Sequence, residues 1–218
     1  MKSQSNRVAA PSGGMSGRRQ RVLLLTVLIA AGLAAGPAAA DMTIQYADVV
    51  GQGPAGPLLA MDGAKLVRSD NKLIISVRVP TPEPGSYNYP LGNTWNLDAY
   101  PGNPEAYSLW AFVFNDPASC VGGGPGVCTP ADARTGTPGA GAFNAAGHLV
   151  SGPVLQLNGS VTFETAPFGG APLTEPHLAE VHLAIAPHGA LQPETMPFQI
   201  KTPIGDPGFW WLARFPAN

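Results

Sequence analysis

The stretch KLVRSDNKLIISVRV, Lys65 to Val79, decides the fold class. From Lys72 onward its residues alternate: Leu73, Ile75, Val77 and Val79 share one face, and Ile74, Ser76 and Arg78 share the other. A period of two is what an extended strand with one buried face requires. Ser69-Asp70-Asn71 is a turn cluster, so Lys65–Arg68 and Lys72–Val79 are predicted to pair as a hairpin.

Further along, Tyr107–Phe114 (YSLWAFVF) is apolar almost throughout, which predicts a strand buried on both faces. Pro153–Leu157 and Ser160–Glu164 flank Asn158-Gly159, the strongest short hairpin signal, and are predicted to fold back on each other there. Ala179–Ala186 and Gly208–Phe215 read as the last strands, and no part of residues 41–218 carries sustained helical periodicity. About six to eight short strands with Gly- and Pro-rich turns predict an all-β domain. The expected architecture is a Greek-key β-sandwich, immunoglobulin-like or similar, with long loops; a closed barrel is the alternative.

The first forty residues stand apart. Arg18, Arg19 and Arg21 precede an apolar run from Val22 to Ala35, and Ala38-Ala39-Ala40 offers a small-residue cleavage site. This is the three-part layout of a secretory signal peptide, so residues 1–40 are expected to be removed and 41–218 to form a single domain. The apolar run is short for a spanning helix, which wants about 20 apolar residues, so no stable membrane anchor is expected after cleavage. The leader holds five of the 12 Lys and Arg and no Asp or Glu. Residues 41–218 therefore carry seven basic against fourteen acidic side chains, a balance of −7. Such a surface argues against nucleic acid or anionic lipid as a partner.

Cys120 and Cys128 are the only cysteines. In an exported chain an isolated pair is expected to be a disulfide, and the intervening VGGGPGV is flexible enough to close it. Such a bond would contribute roughly 2–3 kcal/mol in the chain-entropy picture.

Two of the four histidines lie in AEVHLAIAPHG, Ala179 to Gly189. On an extended strand Val181, Leu183 and Ile185 face the core, while Glu180, His182 and Ala184 face away. His182 and His188 are six residues apart, about 20 Å of extended chain, and cannot share one ion on a straight strand. Glu180 and His182 are a closer pair, two apart on one face. With a third ligand from His148, His177 or His188 they would suit zinc or copper, a possible divalent cofactor. The plainer reading is that they are exposed or hydrogen-bonded strand residues. No nucleophile elbow or phosphate-binding loop is present, and no pair of carboxylates is singled out by spacing.

The segment from Pro80 to Tyr107 holds six prolines, four tyrosines and a tryptophan, which excludes a central strand. Tyr87, Tyr89, Trp95 and Tyr100 there, with Trp210 and Trp211 near the end, are candidate binding aromatics for a glycan or a protein partner. The alternative is that they cap the core beneath long loops. Trp210 and Trp211 must point to opposite faces, so one of the two should be buried.

The blocks VPTPEPGSYNYP (Val79–Pro90), SLWAFVFNDPASC (Ser108–Cys120), AAGHLVSG (Ala145–Gly152) and AEVHLAIAPHG together resemble a group of exported bacterial proteins of unassigned function. The resemblance implies export and no activity. A fainter similarity, a strand histidine followed by His-Gly, is to chordin-type extracellular β-sandwich domains, and it implies only the fold. The combined expectation is a secreted, non-enzymatic β-sandwich acting by binding or as an envelope or extracellular component. The alternatives are a metal-binding protein using Glu180 and His182, and a carbohydrate-binding module using the loop aromatics.

Overall fold

Alternation in Lys65–Val79 does what the pattern asks. In the computed structural model, Leu73, Ile75, Val77 and Val79 are buried while Ile74 and Arg78 are exposed. Residues 41–51, 56–82, 105–124, 126–150, 152–191, 193–194, 196–201 and 211–218 are described, all within the unit Ala39–Asn218.

The strands are β1 (Thr43–Val50), β2 (Leu58–Ser69), β3 (Lys72–Pro80), β4 (Glu105–Phe114), β5 (Ala140–Val150), β6 (Val154–Thr162), β7 (Gly169–Gly170), β8 (Glu180–Ala190) and β9 (Trp211–Phe215). A four-residue helical turn, α1, spans Met196–Gln199. The described residues are all-β, one antiparallel sheet in the order β6-β3-β2-β1-β9-β8-β4-β5-β7. The hairpin of β2 and β3 turns at Asp70-Asn71, with Ser69 opposite Lys72.

One core draws on the whole sheet. Leu66, Leu73, Ile75, Leu155 and Leu157 from β2, β3 and β6 belong to the same cluster as Leu109, Val113, Val181, Leu183 and Phe215 from β4, β8 and β9. Each such side chain stabilises the fold by roughly 1.5–3 kcal/mol on burial. β4 lies between β5 and β8 and is buried along nearly its whole length, as its apolarity predicts. Tyr107, Leu109, Ala111 and Val113 enter the main core. On the other face Trp110 packs with Ala184 and Ala186, and Phe114 packs with the two cysteines.

Asn158-Gly159 is not a hairpin turn. Val154–Thr162 is one continuous strand, with Asn158 opposite Ser76 and Gly159 opposite Ile75. Asn158 Oδ1 accepts a hydrogen bond from Ser76 Oγ (2.8 Å), and Gly159 is not among the positive-φ glycines that a tight hairpin turn would need. Glycine is required there for another reason: a Cβ would overlap the Ala145 carbonyl oxygen of β5. Two strands, β1 and β5, lacked a usable pattern. In β5 the side chains are small because neighbours press on them, Ala171 O against Gly141 and Ile200 against Gly147.

Among the described residues, β1 and β9 are joined by one residue pair, Val50 with Leu212. Side chains close the rest. Arg68, on the inward face of β2 with Leu66, is fully buried. Its Nη1 donates to Pro176 O (2.6 Å) and Ala179 O (2.7 Å), and its Nη2 to Pro216 O (2.9 Å). Its Nε donates to Gln45 Oε1 (2.9 Å) on β1, whose Nε2 donates in turn to Pro216 O (3.2 Å). Burial lowers the Arg68 pKa to about 10, so the guanidinium is still charged at neutral pH.

Replacing Arg68 with Met strands the carbonyls of buried Pro176 and Ala179, each costing roughly 1–3 kcal/mol, while Pro216 is exposed and its carbonyl keeps the Gln45 amide. Urea unfolding of Arg68→Met should show a stability lower than the parent's by at least about 2 kcal/mol. Arg68→Lys, with one compact ammonium, should recover only part of it. An unchanged midpoint in Arg68→Met would refute this role.

Candidate functional site

Alternation along β8 puts Glu180, His182, Ala184, Ala186 and His188 on the face opposite the main core, and register sets them beside β4 and β9. Phe114 lies opposite Glu180, Phe112 and Arg214 opposite His182, and Trp110 opposite Ala184. Two polar groups form on this face, one at each end.

At the first, Glu180 Oε1 is hydrogen-bonded to His182 Nε2 and lies 3.2 Å from Arg214 Nη2. Glu180 Oε2 accepts the Cys128 N–H (3.3 Å), and Arg214 Nη2 donates to the Cys128 carbonyl. Burial alone would raise the Glu180 pKa. The His182 hydrogen bond and charge, the Cys128 amide and Arg214 outweigh it and hold the group ionised, below its ordinary value. His182 Nε2 cannot donate to Glu180 and also accept from Arg214 Nε (3.2 Å); with Glu180 ionised, it donates. Glu180 and Arg214 thus grip the amide and the carbonyl of one residue.

That residue is half of the predicted disulfide. Cys120 and Cys128 are bonded, with Cα atoms 5.0 Å apart. From just beyond the loop, Asp132 accepts hydrogen bonds from Val121 N (2.9 Å), Gly122 N (3.0 Å), Thr129 N (2.8 Å) and Thr129 Oγ1 (2.7 Å). The Val121 amide and the Thr129 hydroxyl, with the other donors, pull its pKa well below the carboxylate range against the opposing effect of burial. The disulfide loop is therefore ordered by Asp132, which follows it in the chain, and fastened to the sheet by Glu180 and Arg214.

At the second group, Ser108 Oγ lies 2.6 Å from His188 Nε2 and accepts the Trp110 indole N–H (2.8 Å). Ser108 and His188 are fully buried. Gln199 from α1 donates to the His188 carbonyl (3.0 Å), and Asn144 donates to Ile200 O (2.7 Å), fixing the segment that covers this end. Ser108 Oγ has a second lone pair beside the one that accepts from Trp110, so which partner donates in the Ser108–His188 bond follows the imidazole tautomer. Nδ1 is buried and makes no hydrogen bond among the described residues. Burial lowers the His188 pKa to about 4, so the ring is neutral.

Glu180 and His182 are thus brought together as expected, and His188 is kept apart on Ser108. Arg214 fills the third position beside Glu180, and a guanidinium there does not fit a divalent cation. No three His, Cys, Asp or Glu residues converge among the described residues. His177 sits elsewhere, 3.7 Å from Asp70. His148 is opposite Tyr107 on β5, and its side chain lies outside the described residues. So do Tyr87, Tyr89, Trp95, Tyr100 and Trp210. Trp211 is buried, with its ring centroid 6.0 Å from that of Tyr107, which makes it a core residue and not a surface aromatic. Sequence reasoning missed Ser108, Trp110, Asp132 and Arg214. The signal available was a lone serine inside the apolar run YSLWAFVF. No family model matches the chain, and no curated protein or solved structure matches it.

A buried neutral histidine makes stability depend on pH in a definite direction. The unfolded chain binds a proton near pH 6.5, whereas the folded chain binds it only near 4. Stability should therefore fall as pH drops through that window, by an amount on the order of 3 kcal/mol for this group. Glu180 adds its own loss only below its ordinary carboxylate pKa of 4.5. Chemical unfolding of His188→Gln between pH 6.5 and 5 should show a shallower decline than the parent; parallel curves would contradict the assignment.

Proposed function

We propose that this chain is an exported, non-enzymatic β-domain that acts by binding or as an envelope or extracellular component. Its strands β6-β3-β2-β1 and β9-β8-β4-β5-β7 are read as the facing layers of a Greek-key sandwich of immunoglobulin-like kind. The single backbone pair between β1 and β9 among the described residues and the core shared by both groups of strands support that reading. So do the three connections that pass between the groups, from β3 to β4, β5 to β6 and β6 to β7. Export is supported by the leader-like residues 1–40 and by the disulfide, which fits an oxidising environment. No helix among the described residues is long and apolar enough to cross a membrane.

One observation carries the non-enzymatic reading. The groups with most chemical potential on this face, Glu180 and Arg214, are committed to the backbone of Cys128, where catalysis would leave them free for a substrate. Their task is to dock a loop.

The test is an assay of the purified chain against hydrolase and oxidase substrates, alongside Glu180→Gln. The account expects no turnover, and it expects faster hydrogen exchange at the Cys128 amide in the variant. Robust turnover that disappears on substituting Glu180 or His182 would overturn the reading.

A further inference from the structure

His188 sits where the ladder between β4 and β8 is interrupted. Tyr107 pairs with Pro187 and Glu105 with Ala190, so His188 and Gly189 together oppose Ala106. Two residues against one make a β-bulge, and Gly189 supplies a positive φ (81°) at the kink. The bulge aims the imidazole at Ser108, where the ring is fully buried.

The cover over this end is lightly fastened. α1 and the two residues after it, Met196–Lys201, join no strand ladder among the described residues. Their backbone bonds, Ile200 N to Met196 O and Lys201 N to Phe198 O (3.1 Å each), are internal. Gln199 on the His188 carbonyl, Asn144 on the Ile200 carbonyl and Ile200 seated against Gly147 hold the segment down. β8, in contrast, is joined to β4 by nine residue pairs. Water therefore reaches His188 at less cost by lifting Met196–Lys201 than by parting the sheet.

Protonation puts an N–H on both ring nitrogens. Nε2 keeps Ser108 Oγ, but Nδ1 is buried and has no hydrogen-bond partner among the described residues, so the cation carries a donor that water can satisfy and the closed structure does not. The charged and titratable groups of the neighbouring elements do not face it. On β4, Glu105 turns with Tyr107 to the core side, where the Tyr107 hydroxyl donates to its Oε2 (2.8 Å). On β5, His148 stands opposite Tyr107, and after α1 Lys201 is exposed. Glu180 and His182 of β8 itself are six or more residues back, about 20 Å along the strand.

We infer that Met196–Lys201 is an acid-released strap: protonation of His188 lifts it and uncovers the apolar floor of Trp110, Ala184 and Ala186 while the sheet stays intact. This regulation goes beyond the binding-domain reading and does not depend on which ligand the domain takes.

Exchange of the Trp110 indole N–H, followed by nuclear magnetic resonance in the intact exported chain and corrected for its intrinsic rate, reads the opening, because that proton is bonded to Ser108 Oγ on the covered face. Burial holds the closed-state pKa near 4 against 6.5 for an open imidazole, so the opening constant should rise about 25-fold from about pH 7.5 to about pH 5. The backbone amides of Ala111 and Leu183, inside the ladder, should keep their protection over that range. His188→Gln should remove the acid rise, and His148→Gln should leave it in place. Gln199→Ala should raise the opening constant about tenfold already at neutral pH, an outcome that does not require the His188 variant to fold. An indole unaffected by acid, equal acid-induced exchange at the indole and in the ladder, a rise that survives His188→Gln or vanishes in His148→Gln, or parental opening in Gln199→Ala would each overturn the inference.

Discussion

The architecture depends on a cation buried where two groups of strands would otherwise part. Among the described residues β1 and β9 share a single backbone pair, so ladder hydrogen bonds there hold little of that seam. Arg68 holds it, by collecting carbonyls from Pro176, Ala179 and Pro216, with Gln45 completing the set. A planar fork of five donors suits this task, since it can satisfy several fixed acceptors at once. Desolvating a guanidinium is costly, and here hydrogen bonds to peptide dipoles offset that cost without a carboxylate partner among the described residues.

The same economy governs the opposite face of β8. There the groups that resemble a metal or catalytic site, Glu180 and His182, belong to a fastening for the disulfide loop. The covalent bond between Cys120 and Cys128 closes the loop, Asp132 orders its backbone, and Glu180 with Arg214 docks it over Phe114. At the far end, Ser108, itself held by the Trp110 indole N–H, satisfies His188 Nε2 beneath the α1 segment. Both groups allow β4 and β8 to be covered on both sides, which explains why YSLWAFVF reads as apolar throughout.

Local pattern was enough for much of this. Alternation located β3, continuous apolarity located β4, and the spacing of two cysteines in an export context located the disulfide. Arg68 was half legible: extending the alternation back from Leu66 puts it on the inward face, but nothing local says what would receive it. Its carbonyl acceptors lie more than one hundred residues away. Asn158-Gly159 misled for the same reason. Gly159 is set by the approach of Ala145 from another strand, and a steric demand of that kind imitates a turn signal in the sequence. The small residues of β5 are another case, chosen to admit Ala171 and Ile200 and therefore lacking the β-branched character that announces a strand.

The most direct test of the central claim is nuclear magnetic resonance of the Arg68 guanidinium in the intact chain. Four donors engaged with fixed acceptors should give separately resolved Nη protons, slow rotation about the guanidinium bonds and strong protection from solvent exchange. A single averaged Nη signal exchanging at the rate of a free arginine would mean that the seam is closed by something else.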